Sequence, residues 1–122
     1  MLDALRTPSD EPNRRAALLQ AARIPCEIAQ HAAEVAKLAR SAAQNGKRVM
    51  AADATIALIL AEAATRAAAL IVTTNTTHFR DDIDPAEAKT LCALARSAEK
   101  SAANALTEAT ARSNRRPDGR PL

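Results

Sequence analysis

The chain has no tryptophan and no tyrosine, one phenylalanine (Phe79), two glycines, two cysteines and two histidines in 122 residues. Each shortage excludes something. A single aromatic ring builds no base-stacking platform, and no zinc-finger or RNA-recognition signature accompanies the basic residues, so nucleic-acid binding is not expected. With glycine confined to Gly46 and Gly119, there is no glycine loop of the kind that cradles phosphate. Cys26 and Cys92 lack CxxC spacing and nearby ligands, and they read as small buried thiols. His31 and His78 fall in different predicted elements without a metal-type partner, and no Ser-His-Asp or Cys-His arrangement is legible. Asp81, Asp82 and Asp84 lack the mid-loop glycine and closing glutamate of an EF-hand and read as helix-capping acids. No metal is expected. The N-terminus has no basic segment followed by a continuous apolar core, so a secretory signal is not expected and the cytoplasm is the expected location.

What is present is largely alanine, within a hydrophobic fraction of 48%. Alanine favours helix strongly but adds little buried area per residue, so a bundle built from it has a thin core. A homo-oligomer, dimer or higher, is expected on that ground. The length suits one domain, over residues 1–112. The net charge is +3 and the pI about 9.3, with Arg112, Arg115, Arg116 and Arg120 gathered near Pro117, Gly119 and Pro121. Residues 113–122 are therefore expected to form a disordered basic tail.

Helical signals cover most of the rest. Ser9 to Pro12 suits a helix start near Asn13, and Pro25 either ends that helix at Ile24 or kinks a longer one. From Cys26 the apolar positions Ile28, Ala29, Ala32, Val35, Ala36 and Ala39 keep helical spacing, broadened by Leu38, until Gly46 stops the run from a left-handed backbone position. A third helix is expected from about Asp53 to Val72, or on through Thr73 and Thr74, with Ile56, Ile59, Leu60, Ala63, Ala64, Ala67 and Leu70 as its inward side. Glu62 and Arg66 interrupt it one turn apart, which argues for a helix buried in a soluble bundle over a membrane span. Pro85 opens a last helix, to about Arg112, with Ala88, Leu91, Cys92, Ala95, Ala98, Ala102, Ala105 and Leu106 on one face. The expectation is an all-α antiparallel bundle of about four helices.

The polar turn from Gly46 to Asp53 is the segment that suggests chemistry. Asp53 is placed to cap the third helix by accepting bonds from its first amides. Lys47 and Arg48 set positive charge beside those amides, which either holds an anionic ligand or merely solubilises the turn.

Taken with its neighbours, this turn resembles the cyclodeaminase/cyclohydrolase family, the type of the C-terminal domain of formiminotransferase-cyclodeaminase and of methenyltetrahydrofolate cyclohydrolase. Ile24-Pro25-Cys26 is similar to the family's Val-Pro-Leu helix segment. Gly46 to Asp53 keeps the length of its turn, and Ile71 to Asn75 keeps the length of its Asn-Val-x-x-Asn helix end. Lys47 and Val49 stand where the family has turn asparagines, Ala52 where it has serine and Ile71 where it has the first asparagine of the helix end, whereas Asp53 and Asn75 match. The resemblance implies a reduced folate as the small-molecule partner, a tetrahydrofolate derivative as substrate without a further cofactor, and Asp53, Asn75, Lys47 and Arg48 as substrate-binding positions. It names no catalytic residue in this chain. Ala4 to Pro8 is similar to a segment that follows the family's proton-accepting helix, so that helix would precede Met1. On this reading the chain holds the C-terminal half of the family domain and is truncated, inactive alone, or completed by a partner. The alternative is a non-catalytic helical scaffold that keeps the bundle for oligomerisation.

Overall fold

The computed structural model describes residues 11–113 and Arg120. Three long helices run up, down and up: α1 (Glu11–Asn45), α2 (Ala51–His78) and α3 (Pro85–Ser113). A single 3-10 turn (Arg48–Met50) leads into α2. The fold is all-α, and among the described residues it has three helices where four were expected. Ala4 to Pro8 and nearly all of the 113–122 tail lie outside the described residues; Ser113 closes α3.

The difference in count traces to Pro25. It lies inside α1 and has no N–H to give to the carbonyl four residues back, Ala21. Asn75 of α2 supplies the missing donor, its Nδ2 lying 2.9 Å from the Ala21 oxygen. The helix therefore continues through the proline. Gly46 also works differently from expectation: a Cβ there would lie 2.4 Å from the Ala42 carbonyl oxygen, so close approach, and not a left-handed backbone, accounts for glycine.

The core has two unlike halves. Leu18, Cys26, Val72, Phe79, Ile83 and Leu91 pack where α1 starts, α2 ends and α3 starts. The other half is nearly all alanine, with Ala29, Ala36, Ala61, Ala98, Ala102 and Ala105 around Leu58. Small side chains let helices approach closely, but they bury less apolar area.

On α2 the expected inward side faces out. Ile56, Ile59, Leu60 and Leu70 are 49–67% exposed, whereas Leu58, Thr65 and Val72 are fully buried. The reason is the chemistry of threonine. Thr65 and Thr76 donate their hydroxyls to the carbonyls of Ala61 and Val72, at 2.8 Å in each case, so polar residues occupy the inner face without an unmade hydrogen bond. On α1 the small positions Ala29, Ala33, Ala36 and Ala39 are buried, while Ile28, Val35 and Leu38 are exposed. The face expected on α3 holds, with Leu91, Ala95, Ala98, Ala102 and Ala105 buried.

Candidate functional site

The turn before α2 and the end of α2 hold the four residues of interest. Lys47, Arg48 and Asp53 are exposed. Asp53 is the third residue of α2 and does not cap it: the cap position is Met50, which makes no side-chain cap bond. The helix starts earlier than the acid because the 3-10 turn feeds straight into it. Asp53 keeps only the favourable position of a carboxylate in a first turn. The preceding turn takes up the first amide of α2, Ala51 donating to the Arg48 carbonyl, and Met50 donates to the Lys47 carbonyl at 2.9 Å. The uncapped end is that of the 3-10 turn, where Lys47 makes no side-chain cap bond, and its leading amides face water or an anion beside Lys47 and Arg48.

Asn75 lies at the far end of the same helix, about 33 Å away at 1.5 Å per residue. It is 9% exposed and one amide hydrogen is committed to Ala21. Lys47, Arg48 and Asp53 thus lie at one end of α2, and Asn75 stands at the other, its side chain packed on α1. Thr76 is the neighbour that sequence reasoning missed. Its hydroxyl is 3.3 Å from the Cys92 sulfur, and it draws α2 onto α3 close to where Asn75 draws α2 onto α1.

Close to Asn75, the Cys26 thiol is 3.7 Å from the Leu91 carbonyl oxygen. Burial pushes its pKa up, with the nearby Glu27 and Cys92 adding to the effect. Such a thiol is unreactive at neutral pH. His78 stands edge-on to Phe79, with ring centroids 4.6 Å apart. An open cleft of about 430 Å³ beside the α2–α3 turn is lined by Asp81, Asp82, Asp84, Glu87 and Arg15. Asp82 is committed to Arg14 at 2.5 Å, and Asp84 caps α3 by accepting from the Glu87 amide at 3.3 Å. So acidic a cleft repels a carboxylate ligand. Among the described residues no group of three or more His, Cys, Asp or Glu side chains is arranged to hold a metal ion.

A proline inside α1, a basic turn and an asparagine near the end of α2 follow one another along the chain. Residues 3–94 match the model of the formiminotransferase-cyclodeaminase family, and the chain belongs to it. No curated protein and no solved structure matches.

Proposed function

We propose that this chain binds a reduced folate through the basic turn ahead of α2. Family membership across residues 3–94 points to folate chemistry, and the observation that carries the reading to a place is the uncapped start of the 3-10 turn leading into α2, with Lys47 and Arg48 exposed on it. Glutamate carboxylates of the ligand would meet those cations and the open amides, an attraction that weakens with salt. Asn75 stands too far along α2 to touch the same molecule from the same protomer. Ammonia elimination from a formimino group needs a general acid and base held at the reacting carbon. Asp53, in the first turn of α2, is the acid beside this basic turn and it is exposed to solvent, so the lone chain is expected to bind without turnover.

Titration calorimetry with tetrahydrofolate, alongside an ammonia-release assay with formiminotetrahydrofolate on the same preparation, tests this. Binding that falls about tenfold in Lys47→Ala/Arg48→Ala and weakens with salt supports it. Turnover that disappears in Asp53→Ala would make Asp53 catalytic and overturn the binding-only part. A complete absence of binding leaves the second reading, a helical oligomerisation scaffold, which the exposed apolar side of α2 favours.

A further inference from the structure

The basic turn leaves the chain's sulfur chemistry unused. There are two cysteines in the sequence, on different helices, and folding brings both into the same half of the core: Cys26 belongs to the cluster that holds Leu18, Val72 and Leu91, and Cys92 packs against it. Along the inner face of α1 the buried positions from Ala22 to Ala39 are all alanine except Cys26, so a thiol stands where a methyl group serves everywhere else. On α3, Ala88 and Ala95 flank Cys92 about one turn away on either side and join the same cluster. Small neighbours of this kind let two helices lie close.

The Cys26 sulfur is 3.7 Å from the Leu91 carbonyl oxygen, and Leu91 is the residue just before Cys92. Standard backbone dimensions put a carbonyl oxygen about 3 Å from the next Cα, so the Cys26 sulfur is within about 7 Å of the Cys92 Cα. The Cys92 sulfur is 3.3 Å from the Thr76 hydroxyl. Thr76 directs its own hydrogen to the Val72 carbonyl at 2.8 Å, which leaves its oxygen to accept from Cys92. That is a weak bond, and a thiol that turns toward Cys26 loses little by breaking it.

We propose that Cys26 and Cys92 form an oxidation site that closes reversibly to an intrachain disulfide and clamps α1 to α3. The two thiols have different parts. Cys92 is half-buried and within reach of a small oxidant, whereas Cys26 is 2% exposed. With a hydroperoxide as the oxidant, the Cys92 thiolate attacks the terminal oxygen: an S–O bond forms, the O–O bond breaks, and the other oxygen leaves as water or an alcohol once protonated. The Cys26 sulfur then attacks the Cys92 sulfenic acid. The S–S bond forms, the S–O bond breaks, and the hydroxyl departs as water with the Cys26 proton. Two thiols lose two electrons and two protons, and the peroxide takes them up. Burial pushes the Cys26 pKa up, which keeps it from reacting first. Beside an oxidised Cys92 its attack is intramolecular, and a neighbour held in place outweighs a small thiolate fraction. A dithiol reductant reopens the bond.

The clamp strengthens a contact that salt weakens. Arg23–Glu87 and Arg40–Glu108 join α1 to α3 at the surface, where mobile ions screen them. A bond from Cys26 to Cys92 also encloses the whole of α2 in its loop, and a long closed loop restricts the unfolded chain. Neither sulfur belongs to the basic turn, and no folate enters the test.

The full chain, reduced and then treated with hydrogen peroxide, should go from two titratable thiols to none, run faster than the reduced monomer on a non-reducing gel, and lose the mass of two hydrogens. Trypsin, cutting after Arg23, Lys37, Lys89 and Arg96, should release one pair of peptides joined through Cys26 and Cys92, and dithiothreitol should restore both thiols. Cys26→Ser should stop at a Cys92 sulfenic acid that dimedone traps, and Cys92→Ser should leave Cys26 unoxidised over the same period. Should a serine variant lose its helical signal, the joined peptides of the wild type decide. In hydrogen exchange, the oxidised chain should keep α3 protected at salt concentrations that release it in the reduced chain. A wild-type dimedone adduct at Cys92 in place of the intrachain bond, disulfides only between chains, or a bond that forms only in urea overturns the proposal, as does α3 protection that responds to salt equally in both forms.

Discussion

Pro25 and Asn75 act as one unit although 50 positions separate them. Asn75→Ala leaves the Ala21 carbonyl without a donor, which is expected to cost about 1–3 kcal/mol in urea unfolding. In a Pro25→Ala background the helix regains its own amide, and the same change should cost under about 1 kcal/mol. Equal costs in both backgrounds would show that the bond does not serve the proline. The sequence displayed the orphaned carbonyl, since any proline inside a helical pattern creates one. It did not display the donor, which becomes evident only when α2 lies against α1. Asp53 is a second case. Its place near a helix start was legible, but the three-residue 3-10 turn that moves the cap to Met50 has no signal in the residues Arg48, Val49 and Met50. Asp53→Ala is therefore expected to cost about 0.3–1 kcal/mol, the dipole term, and to lose much of that effect in high salt. A larger, salt-independent loss would point to a capping bond in solution.

At the scale of elements, helix positions were readable and faces were not. The α2 segment is apolar on nearly every side, so its periodicity gives weak direction, and hydropathy favours the branched residues over threonines that satisfy themselves. Ranking residues by hydrophobicity therefore selected the outward side, with Ile56, Ile59, Leu60 and Leu70. The alanine face of α3 was legible because lysine, arginine and glutamate occupy its other side. The packing that results is intolerant of enlargement. Ala36 and Ala102 are fully buried in the alanine half of the core, and Ala36→Leu should destabilise by about 1–3 kcal/mol through overpacking. If thermal unfolding instead showed stabilisation, the helices there would stand farther apart than the structure has them.

For the molecule as a whole, the buried thiol sets a limit on the alkaline side. Burial raises the pKa of Cys26 above its ordinary 9.0, so its contribution to stability is intact below the unfolded value and is lost as pH climbs through the folded one. Stability should consequently fall above about pH 9, and Cys26→Ser should flatten that part of the profile. An unchanged slope would mean that Cys26 ionises as easily in the folded chain as in the unfolded one.

The three helices are also fastened by different means. Asn75 fixes α2 to α1 with a neutral, largely buried bond, whereas α3 adds to its neutral Cys26–Leu91 and Thr76–Cys92 contacts the surface pairs Arg23–Glu87 and Arg40–Glu108 to α1, and the part-buried Arg14–Asp82 pair holds α1 to the turn before α3. Such exposed pairs are individually weak and are screened by salt. Ionic strength therefore distinguishes the fastenings: as it rises, α3 loosens before the α1–α2 hairpin does. In hydrogen exchange, the amides of α3 should lose protection first, and a chain opened that way would present its alanine-lined inner surface while its longest helix stayed intact.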